Sequence, residues 1–427
     1  MIKRSFFGLQ KPRLEYDIIS TTTPELLEIS ASETVQLFSK TVFDNKNQAV
    51  LQKGDEVKTG QKLTILRGSE DYVISPLTGT VASISPCIGD LGIQMTSIII
   101  KRGAKEEKDS RFSEVAKTPA LQNTKDFLAC LPGVLPSALF SESDRKIDKV
   151  LINGMDSDLL VNTKQYIVKT SAKAIKKGIE VLKKITGIEN FIIAVPETLS
   201  QEALSTGAAV QTVSSIYPKA LPHLVLKDML GKEIPAGSSF EELGVLLIGA
   251  EAVASLGTAY ITNEIPTQKI LTVIDKNGFK KLISTGIGTP LKDIFSALGI
   301  TAGDGDRIII GGPMTGSSVY TEDHPICNDT DAVIVQNRNA IPFISDNACI
   351  NCGECVRICP AKIPVNMLVR FLEVGQYEEA AGSYDLFSCI ECGLCSYVCT
   401  AKIPIFQYIR LGKYELARIH AAEAENV

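Results

Sequence analysis

Eight of the 11 cysteines lie between Cys349 and Cys399, in two copies of one spacing. The first copy is Cys349-x2-Cys352-x2-Cys355-x3-Cys359-Pro360, and the second is Cys389-x2-Cys392-x2-Cys395-x3-Cys399-Thr400. Three thiols at intervals of three wrap a short loop round one face of a cube of iron and sulfide. The fourth, after a longer step, stands at the start of the next element and points away. Structural zinc sites instead pair one C-x2-C with a second pair or with histidines further on, so four thiols in 11 residues, repeated whole, fit zinc poorly. Secretory disulfides would need an export signal, and Met1 to Gly8 has neither a long apolar stretch nor a small-residue cleavage site. The spacing therefore predicts two [4Fe–4S] clusters.

In two-cluster ferredoxins the fourth cysteine of each run ligates the other cluster. That rule predicts one cluster on Cys349, Cys352, Cys355 and Cys399, and a second on Cys389, Cys392, Cys395 and Cys359. CINCGECVRICPAKIPV and CIECGLCSYVCTAKIPI align at a period of 40 residues, an internal duplication in which Thr400 stands where the first copy has Pro360. Gly353 and Gly393 let the backbone approach sulfide where a side chain would clash. Val365 to Ala380 reads as one amphipathic helix with Leu368, Leu372 and Ala380 on a face, and Phe406 to Ala422 as another. Cys87, Cys130 and Cys327 read as buried apolar thiols, and His223, His324 and His420 have no metal-ligand spacing.

These loops sit at the end of a chain of 427 residues, long enough for about three domains at ~150 residues each. Lys+Arg 44 against Asp+Glu 49 leaves a net charge of −5 and no basic block, which argues against a nucleic-acid partner. No apolar run reaches the ~18 to 20 residues of a spanning helix; the best candidate, Gly244 to Gly257, is interrupted by Glu251. The expectation is a cytoplasmic chain, soluble in itself, that reaches a membrane only through a partner.

The fold class expected is multidomain α/β. Residues 1–102 read as a barrel-sandwich hybrid (lipoyl-like) module: LQKGDEVKTGQKLTIL carries turn glycines between short β-prone runs, and SPLTGTVASI supplies a turn followed by alternation. Carrier domains of that fold present a modified lysine, but Leu66 to Ile74 contains none, so a structural or docking module is expected. After the charged stretch from Arg102, strands at Asp148–Asn153 and Phe191–Val195 flank a helical run from Asn162 to Ile185. This predicts a Rossmann-like α/β domain over 121–265, with ligands expected past the carboxyl ends of its strands. Asp156 and Asp158 follow the first strand, where they would either contact ribose or flavin hydroxyls or cap the next helix. A β-β-α-β order suggests a β-grasp (soluble-ligand-binding-like) module over 266–320. Its IIGGPMTG segment, with Gly311 and Gly312, reads as a phosphate cradle or a tight turn. Residues 345–427 form the ferredoxin-like two-cluster unit.

This order of parts, with GGPM ahead of the double cysteine motif, resembles the RnfC family of the Rnf electron-transport complex from about residue 8 to 412. The resemblance implies a peripheral subunit on the cytoplasmic face of the cell membrane, part of a redox-driven ion translocase. It would exchange electrons with NAD(H), through FMN in some members, or with a partner redox protein, and pass them to membrane subunits through two [4Fe–4S] clusters. The alternative is a flavin-dependent NADH oxidoreductase or a soluble electron hub docked to another dehydrogenase. The family's G-x-G-G-A-G-F-P-T segment corresponds here to Leu131–Phe140 and retains only Gly133. The family's E-C-E-P appears as Asp156-Ser157-Asp158-Leu159, and Tyr217-Pro218 matches a further dipeptide.

Overall fold

The computed structural model describes residues 12–20, 22–30, 32–43, 49–89, 92–140, 147–231 and 234–425. The N-terminal residues on which the reading of a leader falls lie outside the described ones.

The N-terminal part is a small antiparallel β structure. Its main sheet runs, from edge to edge, Thr34–Ser39, Gln94–Arg102, Gly79–Ile88, Glu56–Val57, and a second pair joins Lys62–Leu63 to Val73–Ile74. Period-two alternation puts Val35, Leu37, Ile98 and Ile100 inside with Val57, Leu63 and Val81. Gly54 and Gly60 turn with φ of 97° and 81°, a conformation open to glycine without strain. The segment ahead of this sheet leaves the module: Leu26–Glu28 pairs in parallel with Lys280–Gly286, more than 250 positions later in the chain.

The middle of the chain forms an all-parallel sheet in the order Ala209–Val213, Asn190–Pro196, Lys149–Asn153, Val245–Gly249. Counted in chain order this is 3-2-1-4, so the order reverses between the first and fourth strands, where open α/β sheets place their ligand crevice. The helical run expected from Asn162 breaks at Ser171 into Thr163–Thr170 and Ala172–Thr186. The second of these packs on Ala250–Thr262 through glycines. A methyl group on Gly257 would fall on the Ala174 carbonyl, and one on Gly178 on the Val253 carbonyl. Gly257→Ala should therefore destabilise the protein by about 1–3 kcal/mol, as overpacking does, although alanine is the better helix former by ~1 kcal/mol. Urea denaturation under anaerobic conditions reads this directly, and a stability equal to wild type would contradict it.

A six-stranded mixed sheet follows, ordered Leu26–Glu28, Lys280–Gly286, Gln268–Ile274, Ala332–Gln336, Arg307–Ile310, Ser317–Val319. The helix Leu291–Leu298 covers it through Leu291, Ile294 and Phe295. The sheet reaches beyond residues 266–320 at both ends of the chain. The first four residues of the strand Ala332–Gln336, AVIV, are an uninterrupted apolar run and all buried, which suits a central strand covered on both faces.

The C-terminal unit is helical. The expected helix from Val365 to Ala380 is two, Val365–Glu373 and Tyr377–Tyr384, because Gly375 turns with φ 73° between them. Leu368, Leu372 and Ala380 still share one core, since both helices pack against Ile405–Glu425 through Ile409 and Leu416. Among the described residues no helix is long and apolar enough to cross a membrane.

Candidate metal centre and the cavity beside it

The two cysteine loops have one backbone. Positive φ recurs at Asn351 and Glu391 (both 56°), at Gly353 and Gly393 (74° and 70°) and at Lys362 and Lys402 (59° and 60°). Each pair is separated by the 40-residue period, so the duplication read in sequence is also a duplication of turns. Left-handed residues bend the loop back on itself, which turns successive thiols toward a common space. Short helices, Glu354–Ile358 and Leu394–Val398, then carry the third cysteine of each run inward.

The thiols of the two runs interleave. Cys349, Cys352 and Cys355 line one cavity together with Cys399 from the other repeat. Cys389, Cys392 and Cys395 line a second together with Cys359. Among the described residues no three Cys, His, Asp or Glu side chains gather as ligands of a single metal ion would. Burial pushes the Cys392 thiol up to about 12 and that of Cys355 up to about 11. Without a cation such thiols stay protonated, and iron would have to displace those protons on binding. The four-sulfur donor set, the soft chemistry of thiolate and the glycine at each loop all suit a [4Fe–4S] cluster.

The two cavities differ in surroundings. The second is pressed against the α/β part of the chain: Cys392 and Leu394 pack with Tyr16, Met155 and Tyr217, whose hydroxyl donates to the Cys392 carbonyl at 2.5 Å. A side chain at Gly393 would run into the Met314 carbonyl oxygen. The first cavity opens outward at Cys352, the one exposed cysteine of the eight.

A larger cavity of about 610 Å³ lies among the N-terminal module, the parallel sheet and the six-stranded sheet. Asp158, Gly311 and Gly312 line it, with Val134 standing beside Gly133. The structure brings Asp158 and the glycines together against each other. The Asp158 carboxylate accepts from the amides of Leu159 (2.7 Å), Met314 (3.1 Å) and Thr315 (2.8 Å) and from the Thr315 hydroxyl (2.7 Å). A Cβ on Gly312 would collide with that carboxylate. The cradle of IIGGPMTG is thus filled by an acid of the chain itself. Asp156 takes the capping alternative: it accepts from the amides of Lys164 (2.8 Å) and Gln165 (3.3 Å) at the start of the next helix. Burial raises its carboxyl to about 6.

The Gly133 loop lies against the start of the helix that follows the fourth parallel strand. A Cβ at Gly133 would stand 2.5 Å from the Ala252 amide nitrogen, so the loop lies directly on the helix start. Its amides are spent within the chain: Gly133 donates to Asn328 O (2.7 Å), Val134 to Leu131 O (2.8 Å) and Leu135 to Ala129 O (3.3 Å). A phosphate cradle works only where such amides are free. Val134 holds φ 51°, strained for a β-branched residue. Around the cavity the described side chains include four carboxylates, Asp71, Asp158, Asp329 and Asp331, against one lysine, Lys40. The residues present do not fit the phosphate of FMN or NAD(H).

Behind that loop lies a buried ionic chain that composition and spacing did not reveal. Glu251, in the first turn of Ala250–Thr262, pairs with Lys269, which also lies 3.6 Å from Asp331; Asp331 in turn pairs with Lys164 at 2.8 Å. Lys269 is 0% exposed and Glu251 5%. The one sequence signal was Glu251 itself, a lone acid inside the apolar run from Gly244. The remaining cysteines are not fully buried as expected: all three are half-buried. Cys130 and Cys327 line the large cavity, and Cys87 sits toward the end of the Gly79–Ile88 strand.

Comparison with known proteins agrees with this layout. Residues 16–105 match a family model described as the RnfC barrel sandwich hybrid domain, and residues 333–403 match a 4Fe-4S dicluster domain. One subunit of the proton-translocating ferredoxin:NAD(+) oxidoreductase complex of Clostridium ljungdahlii is 27% identical over 86% of this chain and 84% of its own length. The corresponding subunit of the ion-translocating oxidoreductase complex of Pectobacterium carotovorum is also 27% identical, over 96% of this chain but 57% of its own length. That of Methanosarcina acetivorans is 25% identical over 77% of this chain and 80% of its own. The C-terminal unit is a two-cluster [4Fe–4S] domain.

Proposed function

We propose that this chain, an RnfC-like protein, is the electron-transfer subunit of an Rnf-like complex, relaying electrons through two [4Fe–4S] clusters to the membrane subunits. The observation that carries the reading is the pair of four-thiol cavities, one pressed against the α/β domain and one open to the surface at Cys352. Cys349, Cys352, Cys355 and Cys399 would hold the outer cluster, and Cys389, Cys392, Cys395 and Cys359 the inner. When bound, such clusters supply one-electron transfer. The chain's own contribution is a fixed frame. Tyr217 ties the inner loop to the α/β part, Met314, between two strands of the six-stranded sheet, lies against Gly393, and Cys355 and Cys395 pack in one core, so the two sites stay close without a moving part.

The parallel-sheet region is read as Rossmann-like and the six-stranded one as built on a β-grasp unit. Both serve here as docking frame. The protein is read as peripheral on the cytoplasmic face of the cell membrane and held there by partner subunits, a reading supported by relatives that are subunits of ion-translocating complexes. Its electron donor is read as a partner redox protein. That choice is supported by the Gly133 loop, whose amides are spent, and by the carboxylates around the large cavity. The size of that cavity favours the alternative, a flavin-dependent NADH oxidoreductase.

Anaerobic titration separates the two. Reconstituted protein should not bleach in its iron–sulfur absorbance with NADH, with or without added FMN, yet should bleach fully with dithionite. Bleaching by NADH that depends on FMN would move the function to the alternative.

A further inference from the structure

Within the stretch that follows each cluster loop, CPAKIP and CTAKIP, the repeats differ at one position. Pro360 lines the inner cavity beside Cys359, and Thr400 lines the outer cavity beside Cys399. The Thr400 hydroxyl lies 3.4 Å from the Cys352 sulfur, a contact between the two repeats. Either atom could donate while the thiol keeps its proton. Once the sulfur is an iron-bound thiolate it has no proton to give, so the hydroxyl must be the donor. Proline at this position has no donor at all.

We infer that Thr400 donates a hydrogen bond to the Cys352 sulfur of the outer cluster and thereby raises the reduction potential of that cluster. The inference rests on the ligand assignment proposed above. One-electron reduction adds negative charge to the cluster and to its thiolates, so a donor at sulfur stabilises the reduced form more than the oxidised one. Neighbouring charges offset between the two sites. Arg357 donates to the Cys352 carbonyl and pairs with Glu354, while Lys413 donates to the Cys389 carbonyl and pairs with Glu391. The inner loop has its own donor to sulfur, the Glu391 amide at 3.4 Å from Cys389, but that is backbone and is independent of the residue type. Among the described residues, the Thr400 hydroxyl is a side-chain donor to a ligand sulfur that the inner site, with Pro360 at the matching position, lacks. It acts in the same direction as the exposure of Cys352, and both would make the outer cluster the downhill acceptor of the pair.

The test is a redox titration of the anaerobically reconstituted full chain, followed by electron paramagnetic resonance, on wild type, T400V, T400P and T400S. Iron and sulfide analysis comes first: two clusters per chain in each protein leave the ligand reading standing, whatever the potentials do. T400V and T400P should then move one of the two reduction waves to lower potential and leave the other in place, while T400S keeps both. If T400V loads poorly, T400P carries the same test, because it restores the residue that the first repeat tolerates. Unshifted waves in the loaded variants would overturn the hydrogen bond alone. The shifted wave should be absent from a C349A/C399A protein; a shift that survives there would place the effect at the wrong cluster and overturn the inference.

Discussion

Replacing Cys349 and Cys399 together should leave a protein with about four irons, half of the roughly eight that two [4Fe–4S] clusters contain. Replacing Cys349 and Cys359 together should cost both clusters. The two double variants remove the same number of thiols, and the second removes them from a single sequence repeat. Only crossed ligation makes the first the milder change. If each repeat held its own cluster, the iron contents would exchange. The physical basis is that Cys399 lines the cavity of Cys349, Cys352 and Cys355, while Cys359 lines that of Cys389, Cys392 and Cys395. In each repeat the chain turns to extended backbone at the fourth cysteine, with ψ 121° at Cys359 and 116° at Cys399, which ends the short helix there. Iron and sulfide analysis with electron paramagnetic resonance of the dithionite-reduced proteins gives the answer.

Lys269→Met should destabilise the protein by about 3–5 kcal/mol, the usual cost of removing one partner of a buried ion pair. Lys269 is 0% exposed and is bonded to Glu251 and close to Asp331, so its loss strands Glu251 behind the Gly133 loop and leaves Asp331 with Lys164 alone. The double change Glu251→Leu with Lys269→Met should recover much of that cost, since matched apolar side chains need no desolvation of charge. Unfolding followed by circular dichroism suits a chain with no tryptophan. A single variant as stable as wild type would show that the pair contributes nothing.

The same network predicts a pH dependence. Burial is the largest influence on Glu251 and lifts its carboxyl from 4.5 to about 7, with Lys269 opposing it. A carboxyl with a raised folded-state pKa binds its proton more readily when folded, so the folded chain holds more protons between those values. Its contribution is fully present below about 4.5 and is lost as pH rises through about 7. Glu251→Gln should flatten this slope relative to wild type over the same window. Equal slopes in the two proteins would mean that Glu251 does not titrate there.

The features legible in spacing alone were local and periodic. The candidate ligand thiols, the 40-residue duplication and several of the strands could be read from spacing and alternation, because those patterns act over a few residues. The first parallel strand, read at Asp148–Asn153, formed at Lys149–Asn153, and the β-β-α-β order read within 266–320 formed as Gln268–Ile274, Lys280–Gly286, Leu291–Leu298 and Arg307–Ile310. The failures were of reach. Leu26–Glu28 joins a sheet whose other strands begin at Gln268, and nothing local marks a strand for a distant edge. The helix after Val365 was broken by Gly375, whose left-handed turn is compatible with the same apolar face continuing beyond it. The use of the candidate ligand residues was settled by packing. Asp158 and Gly312 meet across 154 positions of chain, and their contact fills a turn that would otherwise have offered free amides to an anion. Asp156 and Glu251 could be seen as acids but not as buried ones, because burial depends on Lys164, Lys269 and Asp331 arriving from three other elements. Thr400 likewise appeared only as a missing proline; that its hydroxyl faces Cys352 follows from the crossing of the two repeats, a fact of packing and not of spacing.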